Sequence, residues 1–432
     1  MRVFKWNELS VDNQIHVLKR PETQNDGAVQ KIVQAVIDDV RENGDVAIRQ
    51  YTKKFDGCDL ENNKVTADEM QSAIATISDD NKKAIDVAYA NIKAFHVHQG
   101  YQNYDVETTK GVECARRVVA IENVGLYVPG GTAPLVSTAM MNGVPSQIAG
   151  CKNRILCTPC DKNGQIDAHL IYAASLCGIT EIYKIGGAQA IAAMAYGTQT
   201  VPKVNKIFGP GNAYVTEAKK LVSLEVNGAA LDMPAGPSEV CVVATQDSNP
   251  SYVASDLLSQ AEHDVMSQVL LISTDAVMTQ KVIKEIEIQL EKLPRKEIAA
   301  QAIENSIAIT VDDLESAMQV SNQYAPEHLI LAFDADEAYL QTIHNAGSVF
   351  IGRLTPESAG DYCSGTNHVL PTNGYARNYS GLNVEAFQKT ITMQKLNEEG
   401  LKSLADTIQN LANLEGLGAH ANAVAIRMRD IV

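Results

Sequence analysis

Tyr183-Lys184-Ile185-Gly186-Gly187-Ala188-Gln189-Ala190 runs from a short apolar strand through a glycine pair into an alanine-rich helix. Its reading decides the fold, because the same order recurs on both sides. Downstream, Lys206-Ile207-Phe208-Gly209-Pro210-Gly211-Asn212-Ala213 repeats it. Upstream, Gly125-Leu126-Tyr127-Val128-Pro129-Gly130-Gly131 leads into a helix expected from near Ser137, and Arg154-Ile155-Leu156 precedes another over residues 166–176. Strands alternating with helices predict a parallel sheet of right-handed crossovers. Glycine lets backbone approach a ligand closely, and a helix N-terminus offers unpaired N–H groups at the positive end of its dipole. Three such loops therefore suit a pyrophosphate at the carboxyl ends of the strands, where doubly wound sheets bind ligands. The dinucleotide fingerprint is incomplete: Tyr214 follows Gly209-x-Gly211 where a third glycine is expected, and no acidic residue stands out at the ribose position. Singly each loop reads as a tight turn; together they bring a nucleotide site level with that reading.

From Ser238 the alternation resumes. Val240-Cys241-Val242-Val243, Val269-Leu270-Leu271-Ile272, Ile307-Ala308-Ile309, Leu329-Ile330-Leu331 and Val349-Phe350-Ile351 read as strands of a second α/β unit. Residues 1–25 are polar, broken at Pro21, and read as an arm. Helices follow: Val29, Ile32, Val33, Val36 and Ile37 recur at helical spacing, Thr66-Ala67-Asp68-Glu69 has the form of a capping box, and Ser78 caps a long helix reaching His96 and His98. Those two histidines diverge at a helix end and read as surface residues. Between Thr108 and Val128 the period falls toward that of strands. Residues 26–126 are expected to pack with residues 238–381, leaving 127–237 as an insertion. In the remaining 382–432, Leu401, Leu404, Ile408 and Leu411 form an apolar stripe that needs a partner surface, often another subunit.

A chain of 432 residues with 45% hydrophobic and 20% charged residues has room for more than one core. The formal net charge of -16 argues against nucleic acid or an anionic membrane as partner. Residues 1–6 lack the apolar core of a signal peptide and no apolar run reaches a membrane span, so a cytoplasmic protein is expected. Eight cysteines are too sparse for a disulfide framework, and Cys157-Thr158-Pro159-Cys160 reads as structural.

Polar residues concentrate at three places. Gln260 and His263 lie three apart at the end of a helical run, a spacing that suits a divalent metal although a hydrogen-bonded face is the commoner outcome. Glu327 and His328 adjoin a strand, where an imidazole near its ordinary pKa can carry protons beside a carboxylate. The loop Pro356-Glu357-Ser358-Ala359-Gly360-Asp361-Tyr362-Cys363-Ser364-Gly365-Thr366-Asn367-His368 is too polar for core and too long for a connector. In it Asp361 suits a hard oxygen ligand, and His368 a ligand or a hydrogen-bond donor.

These stretches, with Asp-Met-Pro-Ala-Gly-Pro-Ser-Glu at 232–239 and Pro-Glu-His-Leu at 326–329, resemble in order the histidinol dehydrogenase family over essentially the whole chain. The resemblance implies a zinc-containing, NAD-dependent enzyme that oxidises L-histidinol through L-histidinal to L-histidine, closing histidine biosynthesis. It implies a metal held by Gln260, His263, Asp361 and His420, an acid/base pair of Glu327 and His328, NAD contacts from Tyr127, Gln189 and Asn212, and substrate contacts from Ser238 and Glu415 besides the metal ligands and His328. It further implies two Rossmann-like doubly wound domains with N-terminal and C-terminal helical arms, assembled as a homodimer with shared active sites. Residues 127–237 then become an inserted NAD-binding domain within a catalytic domain made of 26–126 and 238–381. Two other classes share parts of the pattern. A zinc hydrolase would use the same ligands but has no need of three glycine loops; a nucleotide-binding regulatory protein would keep the loops without the metal.

Overall fold

The computed structural model describes residues 1–21, 27–130, 135–234 and 236–431. Gly131 of the first glycine loop, Ala235, and residues 22–25 of the expected arm lie outside the described residues. The strands are β1 (Arg2–Lys5), β2 (Tyr104–Thr109), β3 (Val112–Ala120), β4 (Asn123–Tyr127), β5 (Asn153–Thr158), β6 (Glu181–Lys184), β7 (Lys206–Phe208), β8 (Ala230–Leu231), β9 (Glu239–Ala244), β10 (Gln268–Ser273), β11 (Ile307–Thr310), β12 (His328–Leu331), β13 (Ser348–Ile351) and β14 (Gln388–Leu396). They form a parallel five-stranded sheet of order β6-β5-β4-β7-β8 and a parallel six-stranded sheet of order β1-β11-β10-β9-β12-β13. A third, antiparallel sheet has the order β14-β3-β2.

Both parallel sheets are covered on two faces, as their unbroken apolar strands require. Every residue of β9 and β10 is buried. Strand alternation divides them: Val240 and Val242 pack with Val253 and Leu257 on one face, while Cys241 and Val243 meet Trp6 and Tyr324 on the other. In the five-stranded sheet Leu126 and Leu156 join one core, Tyr127, Ile155 and Cys157 the opposite one. The predicted mixed α/β architecture with parallel sheets is therefore present.

Three local expectations are corrected. The helices of residues 28–96 pack chiefly on the five-stranded sheet, and only the last of them also reaches residues 363–369, through Asn91, Ile92 and His96. Val33, Val36, Ile37, Val40 and Ile48 share a core with the alanines of the helix Gly187–Tyr196, whose small side chains let neighbouring helices approach closely. The opening residues are not simply an arm: Arg2–Lys5 pairs with β11 as an edge strand, and Phe4 packs against the core beside Trp6. His96 is buried, its Nδ1 2.8 Å from the Ile92 carbonyl and its Nε2 3.3 Å from Asn367. Cys157 and Cys160 are buried free thiols, and burial raises both pKa values, as the structural reading expected.

The C-terminal segment leaves the compact body. β14 pairs along its whole length with β3, then the helix Glu398–Leu414 packs on β14 and on the helix Gly418–Asp430. Leu411, Leu414, Leu417 and Ile426 remain exposed on this pair. Among the described residues no helix is long and apolar enough to cross a membrane.

Ile37 tests the reassignment of the N-terminal helices. It is 1% exposed in the core shared with the five-stranded sheet. Ile37→Ala is expected to lower unfolding free energy by about 2–5 kcal/mol, read from the urea midpoint at unchanged slope; an unmoved midpoint would detach that helix from the core.

Candidate active site

The densest polar cluster lies at the amino ends of β9 and β12. Parallel pairing sets His328 opposite Val240, so the residues before them, Glu327 and Glu239, also meet. The Glu239 N–H donates to Glu327 Oε2 at 2.8 Å, and the Glu239 carbonyl accepts from Gln260 Nε2 at 3.2 Å and from His328 Nδ1 at 3.1 Å. Gln260 arrives from the last turn of the helix Pro250–Ala261, which runs antiparallel to β9 and so returns to its start. Its Nε2 also lies 3.3 Å from Glu327 Oε2 and 3.3 Å from His328 Nδ1.

A short helix, Glu357–Tyr362, closes the cluster. Gly360 seats it, because a Cβ there would meet the Phe350 ring at 2.6 Å. Glu357 and Asp361, four apart, then share a face. Glu357 Oε1 is 3.7 Å from His328 Nδ1, and Asp361 Oδ1 is 3.6 Å from His328 Nε2. Glu327, Glu357 and Asp361 thus crowd one imidazole. Burial pushes Glu327 up to about 8 and raises Glu357 as well. Burial alone would lower His328, but the surrounding carboxylates outweigh it and hold the imidazole well above its ordinary value. Asp361 is kept low because His328 outweighs its own desolvation.

This excess of negative charge suits a divalent cation, and so do the unsatisfied atoms. Gln260 Oε1, His328 Nε2 and Glu357 Oε1 are buried without a hydrogen-bond partner, a costly state unless another ligand completes it. The ligand atoms of His328, Glu357 and Asp361 lie within 4.8 Å of one another. The amide of Gln260 spends its nitrogen on the protein and leaves its oxygen free, as a metal ligand would.

The sequence-selected residues divide by place. Gln260, Glu327, His328 and Asp361 are together, and Ser238 is half-buried next to Glu239. His263 lies beyond the helix end rather than on it; a turn from its N–H to the Gln260 carbonyl, 3.3 Å, keeps the two close. Exposed at the cluster's mouth, its imidazole is lowered by surrounding protein and opposed by the Asp361 charge. His368 is a hydrogen-bonding residue in this chain, with Nδ1 2.8 Å from the Asp361 carbonyl and Nε2 3.1 Å from Thr138. Glu415 and His420 stand exposed on the C-terminal helix pair, and among the described residues no hydrogen bond or ion pair links their side chains to the cluster. Glu239 and Glu357 were not singled out from sequence. The signal for Glu357 was its spacing of four from Asp361; Glu239 acts through its backbone, which no side-chain pattern reveals.

The five-stranded sheet presents a second constellation. Its strand order reverses between β4 and β7, the switch point at which such sheets bind ligands. Tyr127 ends β4, and its buried hydroxyl accepts from the Gly187 N–H at 2.9 Å, joining two glycine loops. Gly209 follows β7 with φ +113°, where a Cβ would strike the Tyr127 carbonyl at 2.0 Å. Its N–H is held by Asp232 at 2.8 Å and its carbonyl by Lys219 at 2.8 Å. Asn212 caps the next helix, accepting from Tyr214 and Val215 N–H groups. Gln189 is buried in the first turn of the helix after Gly187. By contrast, the carboxyl mouth of the six-stranded sheet is a cavity of about 670 Å³ ringed by Asp247, Asp275, Asp312, Asp313 and Asp334, which would repel a pyrophosphate.

Known proteins match this arrangement. The family model described as histidinol dehydrogenase matches residues 18–428. A histidinol dehydrogenase of Bacteroides thetaiotaomicron is 51% identical over 431 residues, covering 100% of both chains. One of Escherichia coli K12 is 48% identical, covering 99% of this chain and 97% of its own. The crystal structure of histidinol dehydrogenase from Elizabethkingia anophelis superposes with a TM-score of 0.96 at 48% identity, covering 100% of this chain and 98% of that one. With the family model, whole-length identity and fold in agreement, the chain belongs to the histidinol dehydrogenase family, oxidoreductases of histidine biosynthesis that act on histidinol.

Proposed function

We propose that this protein oxidises L-histidinol to L-histidine in two successive hydride transfers, with NAD as acceptor and zinc in the buried cluster. The carrying observation is the adjacent Glu327–His328 pair at the mouth of a strand, beside the unsatisfied Gln260 Oε1. Gln260, His263 and Asp361 would hold the metal with His420, and the orphan oxygen of Glu357 lies close enough to serve the same charge. Tyr127, Gln189 and Asn212 would receive NAD at the switch point of the five-stranded sheet, where glycine backbone and helix N-termini suit its pyrophosphate. NAD would supply the hydride acceptor there and the metal would supply an orienting charge for the substrate. Ser238 and Glu415 would contact the substrate.

The chain's own groups supply the proton chemistry. His328 Nδ1 is committed to the Glu239 carbonyl, which leaves Nε2 to take the alcohol proton, and later that of the aldehyde hydrate, once a bound cation offsets the carboxylates that otherwise hold the ring protonated. Only the second step consumes water, and Glu327, whose raised pKa brings it near neutral, is the group placed to activate it. Residues 127–237 are read as the NAD-binding domain, and the eight free cysteines agree with a reducing, cytoplasmic setting.

We read the assembly as a homodimer with exchanged tails. The exposed apolar residues on the helices after β14 support this, as does the position of Glu415 and His420 outside their own chain's cluster.

Three measurements test the proposal. Glu327→Gln should retain NADH formation from histidinol to the aldehyde while losing the second step by about 100- to 10,000-fold, whereas His328→Asn slows both; equal damage to both steps by Glu327→Gln in single turnovers would refute the division of roles. Chelation should abolish turnover, and manganese or cobalt should restore it, since a ligand set of nitrogen and oxygen without thiolate discriminates weakly among these ions; restoration by zinc alone would contradict that ligand set. For the tails, the mixed dimer of His263→Ala and His420→Ala chains should regain about half of wild-type activity, because one of its sites inherits both lesions and the other neither. A mixed dimer as inactive as its parents would return each tail to its own chain.

A further inference from the structure

Arg20 lies in the N-terminal segment, far in sequence from any residue of the cluster, yet its side chain is only 15% exposed. One edge of its guanidinium grips the Glu239 carboxylate through two nitrogens, Nε to Oε1 and Nη2 to Oε2, the latter at 2.8 Å. The same Nη2 reaches the carbonyls of Tyr324 at 2.9 Å and Ala325 at 3.3 Å, and the group lies 4.0 Å over the Tyr324 ring. Glu239 opens β9; Tyr324 and Ala325 lead through Pro326 into Glu327 and His328.

We infer that Arg20 is a positioning residue for the reaction: it fixes the start of β9 against the turn before β12, and so sets where Glu327 and His328 stand. The route is short. The backbone of Glu239 bonds Glu327 through its N–H, and Gln260 and His328 through its carbonyl. Its side chain contacts none of these and is instead held by Arg20 and by the Asn373 N–H at 2.9 Å. A shift of that carboxylate therefore moves the peptide groups that bracket the acid/base pair. Ala325, a non-glycine residue at φ +54°, lies in a strained turn whose carbonyl Arg20 also holds.

Stability alone does not explain the pair, because the desolvation of two buried charges offsets most of their attraction and apolar residues of similar size would stabilise as well. Geometry does. A planar fork satisfies a carboxylate and two carbonyls at once, whereas lysine brings the same charge without the fork.

The inference rests on Glu327 and His328 as the proton-handling groups, and the experiment separates the two ideas. Full-length Arg20→Lys, Glu239→Gln and the double variant are assayed with metal content, thermal midpoint, kcat and both KM values, beside His328→Asn. Arg20→Lys should lose on the order of 100-fold in kcat, the scale expected from misplacing reacting groups by about an ångström, while metal content stays full and each KM moves by no more than about threefold. The double variant should be no worse than its worse parent, as for two residues acting through one linkage. A lowered thermal midpoint with wild-type kcat per folded site would mark a merely structural pair and overturn the inference, as would losses that multiply in the double variant. Should Arg20→Lys not fold, Glu239→Gln alone carries the same expectation, since it keeps the shape and removes the charge. A crippled His328→Asn beside a fully active Arg20→Lys removes only the role of Arg20; a fully active His328→Asn removes the acid/base reading and this inference with it.

Discussion

The parallel pairing of β9 with β12 is the constraint on which the rest of the site depends. It aligns His328 with Val240 and thereby Glu327 with Glu239, so that the N–H of Glu239 meets the Glu327 carboxylate and its carbonyl meets the His328 imidazole. A one-residue slip would invert every side chain of the strand, burying polar groups in the core of Cys241 and Val243. Register is thus enforced by two apolar faces that have no direct part in the chemistry. The cluster is as precise as the sheet is well packed.

That cluster lies at the amino ends of its strands, opposite to the usual ligand crevice of a doubly wound sheet. The carboxyl mouth of the same sheet is lined by Asp247, Asp275, Asp312, Asp313 and Asp334, with Arg353 beside them. The five-stranded sheet has the reverse character: its carboxyl mouth carries Tyr127, Gly187 and Gly209, with the N-termini of the helices Gly187–Tyr196 and Ala213–Ser223 beside them. Each sheet thus contributes the end that suits one half of a dehydrogenase. The acidic half gathers carboxylates around an imidazole, where a cation is welcome; the glycine half offers backbone dipoles, where an anion is.

Burial gives the acidic half its chemistry. In water Glu327, Glu357 and Asp361 would all be ionised and His328 only partly protonated at neutral pH. Removed from solvent, the carboxylates cannot all keep their charge, and the imidazole among them holds its proton more tightly. A divalent cation would relieve the same imbalance. Gln260, His328 and Glu357 each keep a buried polar atom without a hydrogen-bond partner there.

Much of this was legible in the sequence. The strand–glycine–helix repeats fixed the parallel architecture, because periodicity and glycine placement are local properties. The spacing of Gln260 from His263 and the adjacency of Glu327 to His328 marked residues that the fold brings close together, and whole-length motif order located the family. Tertiary structure alone decided the rest. The N-terminal helices joined the five-stranded sheet because their apolar stripe fits the alanine face of the helix Gly187–Tyr196, a complementarity between surfaces more than a hundred residues apart. Arg2–Lys5 became a strand because β11 offered an unpaired edge. Arg20, Glu239 and Glu357 joined the site through contacts that depend on fold closure: a backbone peptide, a bidentate ion pair and a face shared with Asp361 leave no motif of their own, since sequence records which side chains are present, whereas burial and pairing determine which of them meet.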